Sequence, residues 1–324
     1  MTAKCYNFML MSLLLTLSVG LSKSGEVRVS NHEKVVICYW GTWANWRLNQ
    51  GKFVTSNVDG NLCTHLIYSF AGLDTNSWSI KTLDPYLDLE DNYGLGGFKK
   101  ATDLRITYPH LKVMIAIGGW NEGSKKYSEM AGDNDKRAKF VASTVEFLKK
   151  YNFDGLDLDW EYPGKRGGSS SDKKNFIKLV KELREAFQPE KFLLTAAIGA
   201  AKGTIDIAYD VSAMYKYLDF VNVMCYDYHG TWDKRTGHNA PLMSRPDETG
   251  DDLFYNLDYS ISYLIQKGAI PEKTVLGVGF YGRTFLLSDK NDDRMGAPAK
   301  SYSFNGKKNI MYLSIVKLSL SLNL

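Results

Sequence analysis

Seven short apolar runs, rich in β-branched and aromatic residues, recur along the chain at 35–39, 65–70, 113–117, 155–159, 193–198, 220–224 and 275–280. Each is bounded by Gly, Pro, Asn or Asp, residues that favour turns. Between the runs, apolar residues return at helical spacing. Phe140, Thr144, Phe147 and Tyr151 form one stripe, and Phe176, Val180, Leu183 and Phe187 form another. The second stripe follows a Ser-Ser-Ser-Asp start that predicts a helix cap. A third predicted helix spans 251–268, with Gly268 as its C-cap. Strands that are apolar on both faces, alternating with amphipathic helices, predict a parallel sheet covered on its outer side. Seven such repeats predict a TIM (β/α)8-type barrel with seven recognisable strands. No Gly-x-Gly-x-x-Gly turn follows the first run, so a dinucleotide-binding sheet loses its main argument.

A barrel carries its chemistry at the C-terminal ends of its strands. The fourth run is therefore notable: it continues as Asp154-Gly155-Leu156-Asp157-Leu158-Asp159-Trp160-Glu161-Tyr162. Asp157, Asp159 and Glu161 occupy alternate positions, so they share one face of a strand, while Leu156, Leu158 and Trp160 take the other. In a barrel the three carboxylates point inward, with Glu161 nearest the rim. Crowding carboxylates raises at least one pKa, so Glu161 is a candidate general acid. A divalent-metal site and a structural network are the competing readings. None of the five His residues forms a metal-ligand cluster, so neither metal nor cofactor is expected.

Composition adjusts this picture modestly. The 324 residues carry 40 basic and 36 acidic side chains, a net charge of +4 spread along the chain, which argues against a nucleic-acid partner. Aromatic residues at 13% fit either a lined cleft or ordinary core packing. Residues 1–24 read as a secretory signal peptide: Lys4, an apolar run at 8–21 too short for a transmembrane span, then small residues for cleavage. The mature protein is expected to be secreted, free of the membrane and monomeric. Removal of Cys5 leaves Cys38 and Cys63, in short strand-like segments, as disulfide partners and Cys225 as a buried free thiol. The barrel occupies 25–300. Residues 301–324 form an atypical low-complexity tail, alternating Leu and polar residues from Leu318.

The pattern Asp154-x-x-Asp157-x-Asp159-x-Glu161 resembles the signature of family 18 glycoside hydrolases, the chitinases. Cys38-Tyr39-Trp40, the block 63–72, Ala116-Ile117-Gly118-Gly119-Trp120-Asn121, Met224-Cys225-Tyr226-Asp227 and Phe280-Tyr281-Gly282-Arg283 look like that family in the family's order. The resemblance covers about 33–300 and looks closest to secreted arthropod chitinases. It implies retaining, substrate-assisted hydrolysis of chitin and chitooligosaccharides, with the substrate's N-acetyl oxygen as nucleophile. By resemblance, Glu161 protonates the glycosidic oxygen. Asp159 orients the acetamide and shares a proton with Asp157, Tyr226 bonds the acetamide oxygen, and Asp227 contacts sugar. Asp154 orients its neighbours. Tyr39, Phe70, Trp78, Trp120 and Tyr162 are candidate stacking surfaces. Gly118, Gly119, Asn121, Met224 and Arg283 are further substrate contacts, Arg283 having the alternative of pairing with an acid. His229 and Trp232 are weaker candidates. The family's eighth strand and the α+β insertion after its seventh have no counterpart in 301–324. Two alternatives to catalysis follow: chitin binding without turnover, and an unstable truncated form.

Overall fold

A computed structural model of the chain describes residues 32–300 and the backbone of Leu318–Ser319. The predicted signal peptide, and most of the predicted tail, lie outside the described residues. Eleven strands occur among those described: β1 Ile37–Gly41, β2 His65–Asp74, β3 Ser79–Thr82, β4 Lys112–Gly118, β5 Gly155–Asp159, β6 Leu193–Gly199, β7 Phe220–Met224, β8 Thr274–Leu276, β9 Leu286–Leu287, β10 Ala299–Lys300 and β11 Leu318–Ser319. β1, β2, β4, β5, β6, β7 and β8 lie side by side in chain order, all parallel. They form a curled parallel sheet, most of a TIM-type barrel, with helices outside. β3 folds back on β2 as an antiparallel hairpin, and β11 pairs antiparallel with β1 at Ile37 and Cys38. β8 is the far edge of this sheet among the described residues.

Alternation along the strands decides which side each residue faces. Cys38, Trp40, Leu66, Tyr68, Val113, Ile115, Leu156, Leu158, Leu194, Ala196, Val221 and Val223 join the helices in one large buried cluster. Ile37, Tyr39, Ile67, Met114, Ala116, Ala197 and Val275 form a second, smaller cluster inside the curl. Burying each large side chain of the outer cluster contributes roughly 1.5–3 kcal/mol, so the outer layer supplies most of the driving force. The inner cluster is small because three strands place polar groups there: Asp157 and Asp159 on β5, Thr195 on β6 and Asn222 on β7. All four are at least nine-tenths buried.

Both predicted helical stripes are present, in helices Asn134–Tyr151 and Asp172–Phe187. The Ser run does not cap the second helix through a hydroxyl. Asp172, fully buried, instead accepts from Ser169 N, Gly164 N and Ser128 Oγ, so one carboxylate orders the preceding turn. The third predicted helix starts later than expected, at Leu257, because Asn256 caps it by accepting from Tyr259 N. The seventh strand is also shorter than predicted. Gly277 lies against the β7 backbone, where any side chain would meet Val223 O at 2.4 Å, and the chain leaves the sheet there. Cys38 and Cys63 form a disulfide and Cys225 is buried and free. Cys63 itself sits in the turn before β2 rather than in a strand. No helix among the described residues is long and apolar enough to cross a membrane.

Candidate active site

The acidic strand β5 sits at the centre of the curl. Asp157 is fully buried, and Asp159 and Glu161 are almost so. Leu156, Leu158 and Trp160 pack outward, Trp160 against Tyr127 and Phe176. Gly118 makes the C-terminal end of β5 possible. It has φ +113, and a side chain there would meet Asp159 O at 2.2 Å; Gly119 N donates to that same oxygen at 2.8 Å. The close approach that Gly118 permits is thus between strands, whereas a side chain on Gly119 would meet the Phe70 ring at 3.0 Å.

Among the described residues, the donors to Asp157 are neutral. Tyr39 Oη donates to its Oδ2 at 2.9 Å, and Thr195 Oγ1 and Asn222 Nδ2 donate to Oδ1 at 2.5 and 3.0 Å. Asn222 Nδ2 also donates to Tyr39 Oη at 2.7 Å. Burial pushes the Asp157 carboxyl up to about 6, against the three hydrogen bonds, which pull it down. Burial is the dominant cause here, where the sequence suggested repulsion between carboxylates. The Tyr39 hydroxyl is held well above its ordinary value by burial and then by the charges of Asp157 and Asp159.

Above this network is a cavity lined in part by Tyr39, Phe70, Asp159, Asn222, Met224 and Tyr226. Glu161 lies two residues past Asp159. The Tyr162 hydroxyl is raised by burial and then by the Glu161 charge, so acid and ring are neighbours. At the far rim Arg283 pairs with Asp227, its Nη2 and Nε reaching Oδ1 at 2.5 and 2.9 Å, while Tyr281 donates to the same carboxylate. Of the two roles left open for Arg283, pairing with an acid is the one seen. Arg283 also lies 5.0 Å from the Trp232 ring centre, and Tyr281 packs edge-on to Tyr226. Trp120 is half exposed and Asn121 exposed on the turn after β4.

Three predicted residues lie elsewhere. Trp78 sits in the β2–β3 turn, under Lys136 Nζ at 4.0 Å, and packs on the outer cluster. Its strand ends later than the sequence suggested, so the hairpin carries the ring away from β5. Asp154 lies at the opposite end of β5, bonded to Arg105 and to Val113 N. His229 is buried in the loop after β7 beside Asp233, which raises its pKa through a hydrogen bond.

The sequence reading missed several side chains that the structure brings to the rim. Trp43 lines the cavity and stacks on Phe70, ring centres 6.1 Å apart. Trp46 stacks on Tyr86 at 6.2 Å and donates to Asp84. Both tryptophans are about half exposed, and their position just past the end of β1 was the available signal. Thr195 and Asn222 carried no such signal, because each reads as an ordinary strand residue. Among the described residues no group of three or more His, Cys, Asp or Glu side chains is arranged to hold a metal ion.

Residues 35–317 match the model of the glycosyl hydrolases family 18. The chain belongs to this family. It is 54% identical over 254 residues to probable chitinase 2 of Drosophila melanogaster, covering 78% of this chain and 51% of that one. Among solved structures it is similar to the Ostrinia furnacalis Group IV chitinase in complex with allosamidin (TM-score 0.80, 42% identity, 84% of this chain and 72% of that one). It is also similar to human YKL-39, described as a pseudo-chitinase with retained chitooligosaccharide binding (TM-score 0.74, 35% identity, 82% and 72%). The chain spans about half the length of probable chitinase 2 of Drosophila melanogaster and of the endochitinase of Manduca sexta, and 12% of probable chitinase 10 of Drosophila melanogaster.

Proposed function

We propose that this protein is a secreted chitinase that hydrolyses β-1,4-linked N-acetylglucosamine polymers with retention, through substrate-assisted catalysis. The observation that carries the reading is the buried run of Asp157, Asp159 and Glu161, with Asp159 lining a cavity together with Tyr39 and Tyr226, and Tyr39 bonded to Asp157. In this reading Glu161 protonates the departing glycosidic oxygen. The acetamide carbonyl of the sugar attacks the anomeric carbon, which replaces a bimolecular step by an internal one. Asp159 stabilises the positive charge that develops on the acetamide. Asp157, with a pKa near 6, takes up or releases a proton below it. Trp43, Phe70, Trp120 and Trp232 offer ring faces to an uncharged polysaccharide.

A second reading, binding without turnover, is favoured by the likeness to human YKL-39. The two separate in one experiment: hydrolysis of a fluorogenic chitooligosaccharide by the full chain beside Glu161→Gln. Turnover that falls by about a hundredfold or more in the variant, with binding to chitin beads retained, supports catalysis. Bead binding by both proteins without turnover by either supports the second reading.

A further inference from the structure

The turn after β5 carries a cation that the strand pattern did not single out. Arg166 has φ +52, a conformation that a residue with a Cβ rarely adopts, and Gly164 and Gly167 beside it also have positive φ. The turn holds this shape because it is pinned from several sides. The buried Asp172 accepts from Gly164 N and Ser169 N, Lys165 N donates to Tyr162 O, and Lys165 Nζ donates to Thr204 Oγ1. Ser124 Oγ donates to Tyr162 O and accepts from Trp160 Nε1. The result is a rigid mount that aims one guanidinium. Its Cζ lies 3.6 Å from the Trp120 ring centre, its Nη2 donates to Trp120 O at 2.9 Å, and its Nη1 donates to Glu161 O at 3.0 Å.

We propose that Arg166 is a positioning residue that locks the Trp120 ring as an open platform and ties it to the backbone of Glu161, so that a sugar stacked on Trp120 is held in register with the acid. The inference rests on the chitinase reading above for what the platform receives. A planar guanidinium can cover one ring face and donate from two nitrogens at once; an ammonium cannot. Trp120 remains 49% exposed with that guanidinium in place, so part of the ring is open to a ligand. Trp120 and Glu161 come from different strand ends, and Arg166 is hydrogen-bonded to both.

The test compares the full chain with Arg166→Ala and Arg166→Lys, each with and without Trp120→Phe. Subtracting each Trp120→Phe counterpart isolates the Trp120 emission, which is then quenched with acrylamide. The Kd for N-acetylchitopentaose is measured on the same proteins, together with kcat and KM on short and long chitooligosaccharides. Arg166→Ala is expected to raise Trp120 quenching, weaken pentasaccharide binding about tenfold and lower kcat/KM more on long substrates than on short ones. Arg166→Lys should recover only part of each effect, and millimolar guanidinium should restore Arg166→Ala. Arg166→Gln serves if the alanine variant does not fold. Trp120 quenching within twofold of the parent, or equal losses on short and long substrates, would overturn the proposal. A parent that neither binds nor cleaves chitooligosaccharides sinks the chitinase reading instead, while the quenching contrast still decides whether Arg166 locks the ring.

Discussion

Asp154 and Asp157 stand three residues apart on the same segment, yet they meet opposite surroundings. At the base of β5, Asp154 Oδ2 accepts from Arg105 Nη1 and Val113 N, both at 2.8 Å, with Lys112 nearby. Arg105 also donates to Asn152 O, two residues earlier. The base of β7 repeats the device: Asp219 Oδ2 accepts from Arg184 Nη2 and Leu194 N, and Arg184 donates to Tyr217 O. Each unit ties the start of one strand to the strand before it through a backbone N–H, and to a helix through an ion pair. Higher on β5, the partners of Asp157 among the described residues, Tyr39, Thr195 and Asn222, are all neutral. A carboxylate held between a guanidinium and a backbone N–H acts as a rivet. A carboxylate among neutral donors in a dry interior keeps a proton that can move. The contrast follows the division of a barrel into a stabilising base and a reactive top.

The largest expected break in this comparison is catalytic. Asp157→Ala should lower kcat by about a hundredfold or more, whereas Asp154→Ala should leave kcat per folded molecule unchanged. Equal losses would erase the distinction between the ends. Stability should show the reverse emphasis at the base. Asp154→Ala orphans the buried Val113 N–H and an Arg105 donor, so urea unfolding should show a loss of about 2–3 kcal/mol. Asp219→Ala should match it, since its partners are the same in kind.

The third expectation is a pH dependence with a defined sign. The folded Asp157 carboxyl, near 6, lies above its ordinary value of 3.8. The folded state therefore holds the proton more tightly, and stability falls as pH rises between about 4 and 6, then levels off. Asp157→Asn should flatten that window in a urea titration at several pH values. A profile unchanged by the substitution would mean that other groups set the slope. The smallest expected effect is at the far rim. Arg283→Lys keeps a cation beside Asp227 but loses the planar contact with Trp232, so KM should rise only about two- to fivefold.

The sequence exposed the fold well because its signals are local. Seven apolar runs fall on the seven parallel strands, and strict alternation in β5 puts Asp157 inside and Leu156 and Leu158 outside. What it hid depends on partners far away in the chain. Tyr39 and Asn222 reach Asp157 across 118 and 65 positions, and Thr195 looks like any β-branched strand residue. Trp78 was misplaced because the β2–β3 hairpin extends beyond the predicted run and turns the ring outward. Arg166 was hidden for another reason: its role depends on a positive φ that no residue type announces, and a Lys-Arg-Gly-Gly stretch reads as a solvated turn. The paired bases of β5 and β7 were half visible, Asp154 through the acidic motif and Asp219 not at all.

The central claim is that the top of β5 holds a carboxyl that titrates near 6 while its base holds a fixed ion pair. The most direct measurement is an infrared titration of the protonated carboxyl stretch, taken as the difference between the parent and Asp157→Asn, with Asp154→Asn as the control. The account predicts a carboxyl band that disappears from the parent with a midpoint near pH 6, is missing in Asp157→Asn and is kept in Asp154→Asn. An Asp157 band that is already gone by pH 4 would contradict it.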